Sequence, residues 1–127
     1  MDNVTATAAL RDIALRACEE HSVTVTRDGK EYTYRCRVSD VSDVRFNLLV
    51  VVNAVCTKKV ALELLTKTRK AIREAANSAG VKWRYPRQRA AKGGKTWAHS
   101  TGFWHMGNHC VTDFYAVFVG GEKGRSI

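Results

Sequence analysis

An α+β domain, with two helices on a mostly antiparallel sheet of about five strands in the order α-β-β-β-α-β-β, follows from three observations in the 127-residue sequence. Residues 6–18 and 57–79 repeat apolar side chains at helical spacing. Between and after them the period drops to two, as strands require. The chain is 45% apolar, enough for one core at this length. A single domain over residues 1–119 with a flexible tail at 120–127 is expected.

From Ala6, the residues Ala9, Leu10, Ile13, Ala14, Ala17 and Cys18 fall on one side of a 3.6-residue period, predicting a short amphipathic helix that ends at His21-Ser22. Val23-Thr24-Val25-Thr26 then alternates, and alternation resumes after Asp28-Gly29 at Tyr32, Tyr34, Cys36 and Val38. Asp28-Gly29 suits a type I′ loop, whose two central residues need positive φ. With Arg27 opposite Lys30, Val25 pairs with Tyr32 and Val23 with Tyr34, so both apolar rows share a face. Thr24, Thr26, Thr33, Arg35 and Arg37 then form the other face, a second and weaker basic strip.

Ser39–Asp43 reads as a polar turn, and Arg45–Val52 as a third strand that is apolar on both faces from Leu48 onward, as a central strand would be. A long helix follows from about Thr57, with Ala61, Leu64, Leu65, Thr68, Ile72, Ala75 and Ala79 as its buried side and Gly80 as C-cap. Val81, Trp83 and Tyr85 alternate with Lys82 and Arg84 before Pro86, predicting a brief strand with an aromatic and a cationic face. Arg87–Gly94 reads as a loop, Thr96–His109 as a segment of glycines and histidines, and Cys110–Val119 as a last strand, either central or a dimer seam.

Charge is the main functional signal. The chain carries +9, with 13 Lys or Arg and 10 acids in residues 1–80, a net of +3, against eight and two in residues 81–127, a net of +6. Glu74 and Asp113 bracket a stretch without acids, in which Lys82, Arg84, Arg87, Arg89, Lys92 and Lys95 crowd together. Eight of eleven aromatics lie between Val81 and Phe118. Lys and Arg neutralise phosphates with release of counterions, and Trp or Tyr faces stack on unpaired bases. RNA or DNA is therefore the expected partner, held by those cations with Trp83, Tyr85 and Trp97 stacking. Lys58 and Lys59 open the second helix, where its dipole disfavours cations, and an anion there would relieve the conflict.

Other chemistries are less well served. Cys18, Cys36, Cys56 and Cys110 lack the C-x-x-C spacing of zinc ribbons and dithiol sites, so reduced thiols are expected, Cys18 and Cys36 on apolar faces. His105 and His109 have the spacing of half a zinc site, but no cysteine pair precedes them, and neither metal nor cofactor is expected. His99-Ser100-Thr101 resembles half of a two-histidine phosphoesterase site without its second half. Gly94-Lys95-Thr96 ends like a phosphate loop with Arg89 at the position an earlier glycine should hold. The C-terminal third offers only Asp113 and Glu122 to a hard metal ion, and Asp40 and Asp43 read as turn residues. Cys110 beside His109 lacks an orienting group on a strand.

The order helix, strand, strand, strand, helix over about residues 4–80 resembles double-stranded RNA-binding domains, and Thr57-Lys58-Lys59 at the second helix is similar to their phosphate-contacting lysines. The resemblance implies phosphate contacts at Lys58 and Lys59. The Asp28-Gly29 turn is shorter than that family's minor-groove loop, and the basic C-terminal extension has no counterpart there.

No run approaches the roughly 18 apolar residues of a membrane span, and Met1-Asp2-Asn3 lacks a signal-peptide layout, so a cytoplasmic protein with no membrane partner is expected. The expected function is nucleic-acid binding without catalysis. The alternatives are an inhibitor or adaptor that docks on an acidic surface of a host protein or nucleic-acid-handling complex, of the mobile-element accessory type, and a small phosphoesterase using His99.

Overall fold

The computed structural model describes residues 3–81, 83–84, 103–106 and 109–116. Its elements are α1 (Asn3–Glu20), β1 (Val23–Arg27), β2 (Lys30–Tyr34), β3 (Arg37–Ser42), β4 (Arg45–Val51), α2 (Lys58–Ala79), β5 (Trp83–Arg84), β6 (Phe103–Met106) and β7 (His109–Ala116). The class is α+β. The order differs from expectation, with four strands between the helices and three after them.

The hairpin register is the expected one: Val25 opposes Tyr32, Val23 opposes Tyr34, and Arg27 opposes Lys30. Asp28 and Gly29 take φ of 52° and 77°, as a type I′ loop demands. The hairpin does not join the main sheet, however. The alternation read through Cys36 and Val38 breaks after Tyr34, and β1-β2 stands alone while β3 restarts at Arg37. Ser39–Asp43 is likewise no turn. Arg37–Ser42 pairs with β4, Ser39 facing Asn47, and only Asp43-Val44 turns the chain, after a bulge between Asp40 and Ser42. Polar side chains misled there because β3 is an edge strand that leaves most of its side chains in water.

The main sheet runs β3-β4-β7-β5, all antiparallel, with β6 also on β7. The outer edge of β7 is shared: β6 covers its start, from Met106 opposite His109 to Phe103 opposite Thr112, and β5 its end, with Trp83 opposite Ala116. β7 is thus central, and its strand spans His109–Ala116, with the expected continuation to Val119 outside the described residues. β6 lies in the segment of glycines and histidines to which no strand was assigned, because glycines flank a core of only four strand residues, Phe103–Met106. Of the expected strand at Val81–Tyr85, Trp83–Arg84 is a strand and Val81 is not, while Lys82 and Tyr85 lie outside the described residues.

Alternate residues of β4 divide the molecule. Phe46, Leu48 and Val50, with Cys110 on β7, face the helices and join Leu10, Ile13, Leu64, Leu65 and Ile72 in one core. Arg45, Asn47, Leu49 and Val51 occupy the far side of the pleat. α1 buries Ala6, Leu10, Ile13, Ala14, Ala17 and Cys18, as its spacing requires. α2 buries Ala61, Leu64, Leu65, Thr68, Ile72 and Ala76. Ala75 and Ala79, read as buried, are exposed, since the true stripe reaches Ala76 four residues after Ile72. Gly80 caps α2 in the left-handed region at φ 73°, its N–H donating to Asn77 O at 3.2 Å and that of Val81 to Ala76 O at 2.9 Å.

This topology departs from the resemblance read in the sequence. A double-stranded RNA-binding domain completes its sheet before the second helix, whereas here the central strand, β7, comes after α2. Among the described residues, no helix is long and apolar enough to cross a membrane.

Candidate functional site

The end of β4 is carried into α2 by a tight polar turn. Asn53 Oδ1 accepts from the backbone N–H groups of Val55 and Cys56, both at 2.8 Å, and Asn53 N–H donates to Cys56 O at 2.8 Å. Thr57 follows as N-cap, its hydroxyl accepting from Val60 N–H at 3.4 Å. The hairpin is fastened to the same region. Arg27 Nη1 donates to Ala54 O, Tyr34 Oη to Asn53 Oδ1 at 3.4 Å, and Lys67 Nζ to Ser22 O at 3.2 Å. These bonds hold the hairpin against the turn that leads into α2 and the residue before β1 against the helix itself.

Lys58 and Lys59 are exposed in a first turn that has no acidic residue. Arg11 and Asp40 form an ion pair at 2.6 Å, but neither lysine is neutralised by a carboxylate among the described residues. Burial raises the Cys110 thiol above its ordinary value, and the charge of Lys58 opposes that rise. A shallow depression of about 670 Å³ runs along this part of the helix, lined among the described residues by Lys58, Lys59, Leu62, Glu63, Thr66 and Lys67. Its rim is charged and its floor includes the half-buried Leu62.

Of the other residues singled out by sequence, Trp83 and Arg84 lie on β5 at the outer edge of β7. Trp83 is level with Ala116 and Arg84 with Tyr115, successive positions that alternate between the two rows of the pleat. Arg45 opposes Tyr115 from the other neighbour, so Arg45, Tyr115 and Arg84 occupy one row across the sheet. Lys82, Tyr85, Arg87, Arg89, Lys92, Lys95 and Trp97 lie outside the described residues, as does His99.

The register also separates the histidines. His105 is level with Cys110, in the row that belongs to the helix side, whereas His109 is level with Met106 and Val51 in the row of the far side. No cluster of three potential metal ligands occurs among the described residues. All four cysteines are free, buried and part of the same core. Burial pushes the Cys18 thiol up to about 11 and that of Cys36 to about 12, the latter against the opposing hydrogen bond with Thr68. Such thiols are protonated at neutral pH and do not act as nucleophiles.

Lys70 and Arg73 continue the exposed side of α2 begun by Lys59, the side that helical spacing already marks as basic. One feature escaped sequence reasoning. Asn47 is only 9% exposed, and its Oδ1 is buried with no hydrogen-bond partner among the described residues, level with Ser39 on one neighbour and Asp113 on the other. No family model, curated protein or solved structure matches this chain.

Proposed function

We propose that this protein is a nucleic-acid-binding domain that acts by neutralising phosphates and performs no catalysis. The observation that carries the reading is the pair Lys58 and Lys59, exposed at an acid-free helix start that follows the turn to which Arg27 is bonded through Ala54 O. Cations held in a first turn against the helix dipole cost stability of a few tenths of a kcal/mol or more, and a phosphate at that position reverses the sign. The overall +9 charge supplies the long-range attraction.

In this reading Lys58, Lys59, Lys82, Arg84, Arg87, Arg89, Lys92 and Lys95 contact phosphates, and Trp83, Tyr85 and Trp97 stack where bases are unpaired. The test is an anisotropy titration with RNA and DNA oligonucleotides across a salt series. Wild-type affinity falls steeply with salt, and Arg87→Ala with Arg89→Ala flattens the slope by about two, one per lost phosphate contact. Absence of binding at low salt overturns the reading and transfers the cationic surface to an acidic protein partner.

A further inference from the structure

α2 is 22 residues long, about 33 Å at 1.5 Å per residue, and one side of it is in solvent throughout. Lys59, Glu63, Thr66, Lys70, Arg73 and Asn77 follow one another at alternating steps of four and three, which makes a straight exposed stripe. The cations of the stripe extend over about 21 Å, from Lys59 to Arg73. Lys58 and Lys67 flank it, so the exposed side carries five cations against Glu63 and Glu74. The stripe holds no aromatic residue.

We propose that this face of α2 is a docking surface for duplex nucleic acid. The inference rests on the nucleic-acid reading above and narrows it to a substrate and a surface. Charge complementarity selects a polyanion. The chemistry of the stripe then chooses between strands. Single strands are held by stacking of bases on aromatic rings in addition to charge, and this stripe carries no aromatic ring. A duplex already displays its phosphates in regular rows, and a rigid helix can meet them with lysine, arginine, hydroxyl and amide groups alone. A helix also matches the major groove of B-form DNA, about 12 Å wide. The tether from Lys67 to Ser22 O and that from Arg27 to Ala54 O fix the hairpin alongside the helix, so the cations on both are presented by one body.

The experiment uses the full chain with 20-base-pair DNA and RNA duplexes and the corresponding single strands, over a salt series. The duplexes bind more tightly than either strand. Lys70→Ala with Arg73→Ala, two exposed positions, weakens duplex binding on the order of tenfold and lowers the salt slope by about two, with circular dichroism unchanged. Lys59→Ala, at the other end of the stripe, repeats the test in a separate turn and lowers the slope by about one. Unchanged duplex affinity and slope in these variants overturn the surface. Tighter binding of single strands overturns the duplex while leaving the nucleic-acid reading standing, and absence of binding to any oligonucleotide removes both.

Discussion

The thiol of Cys36 lies 3.4 Å from the hydroxyl of Thr68, inside the core. The pair joins the junction between β2 and β3 to the middle of α2, and the thiol also points toward Leu64 O at 3.9 Å. A small polar group on a buried helix face is thereby satisfied by a neighbour 32 residues away in sequence.

Alkaline pH should weaken this core. Burial favours the protonated thiol, raising Cys36 from 9.0 to about 12 and Cys18 from 9.0 to about 11. The folded state thus holds these protons more tightly than the unfolded chain. Their contribution is complete below pH 9 and is lost as pH rises through 11 and 12. Urea unfolding from about pH 8 to 11 should show falling stability, with a shallower fall in Cys36→Ala, which itself costs on the order of 1 kcal/mol in buried area. An identical slope in the variant refutes the buried-thiol explanation.

The two ends of α2 should respond differently to alanine. Thr57→Ala removes the hydroxyl that accepts from Val60 N–H and costs about 1 kcal/mol. Gly80→Ala adds a Cβ that meets nothing within 4 Å, so its cost is conformational, roughly 1–2 kcal/mol for a left-handed residue at φ 73°. Gly80→Asn should recover part of that loss, because asparagine tolerates the region better. Denaturation midpoints distinguish these cases, and equal midpoints for the wild type, Gly80→Ala and Gly80→Asn would contradict the assigned cap.

Asn47→Val should stabilise the protein by about 1 kcal/mol. The substitution removes a buried carbonyl oxygen without a partner among the described residues and places a β-branched side chain in a central strand. Differential scanning calorimetry reads the change. A loss of stability instead would mean that the amide makes bonds worth more than its burial costs.

Much of the architecture was legible because it depends on local periodicity. The faces of α1, the hairpin register from Val23 to Tyr34, the strand at Arg45–Val51 and the Gly80 cap each follow from spacing or turn chemistry within a few residues. β3 was not legible, since Ser39, Asp40 and Ser42 carry turn chemistry and become a strand only by pairing with β4. β6 was hidden for the same reason, its four residues gaining a partner only in β7. At the candidate site, Lys58 and Lys59 could be read directly, whereas the bond that brings Arg27 to the turn before them crosses the fold.

By itself, then, the sequence determined the α+β class, the inward face of α1 and that of α2 as far as Ile72, the hairpin turn and the excess of positive charge. These are properties of spacing and composition, fixed before any long-range contact forms. Tertiary structure decided that the hairpin stands apart from the main sheet, that β7 occupies its centre, that His105 and His109 fall in opposite rows of the pleat, and that Asn47 is buried. Strand pairing decides these outcomes because backbone hydrogen bonds link residues far apart in sequence, and a shift of one residue in register exchanges the two faces of a sheet.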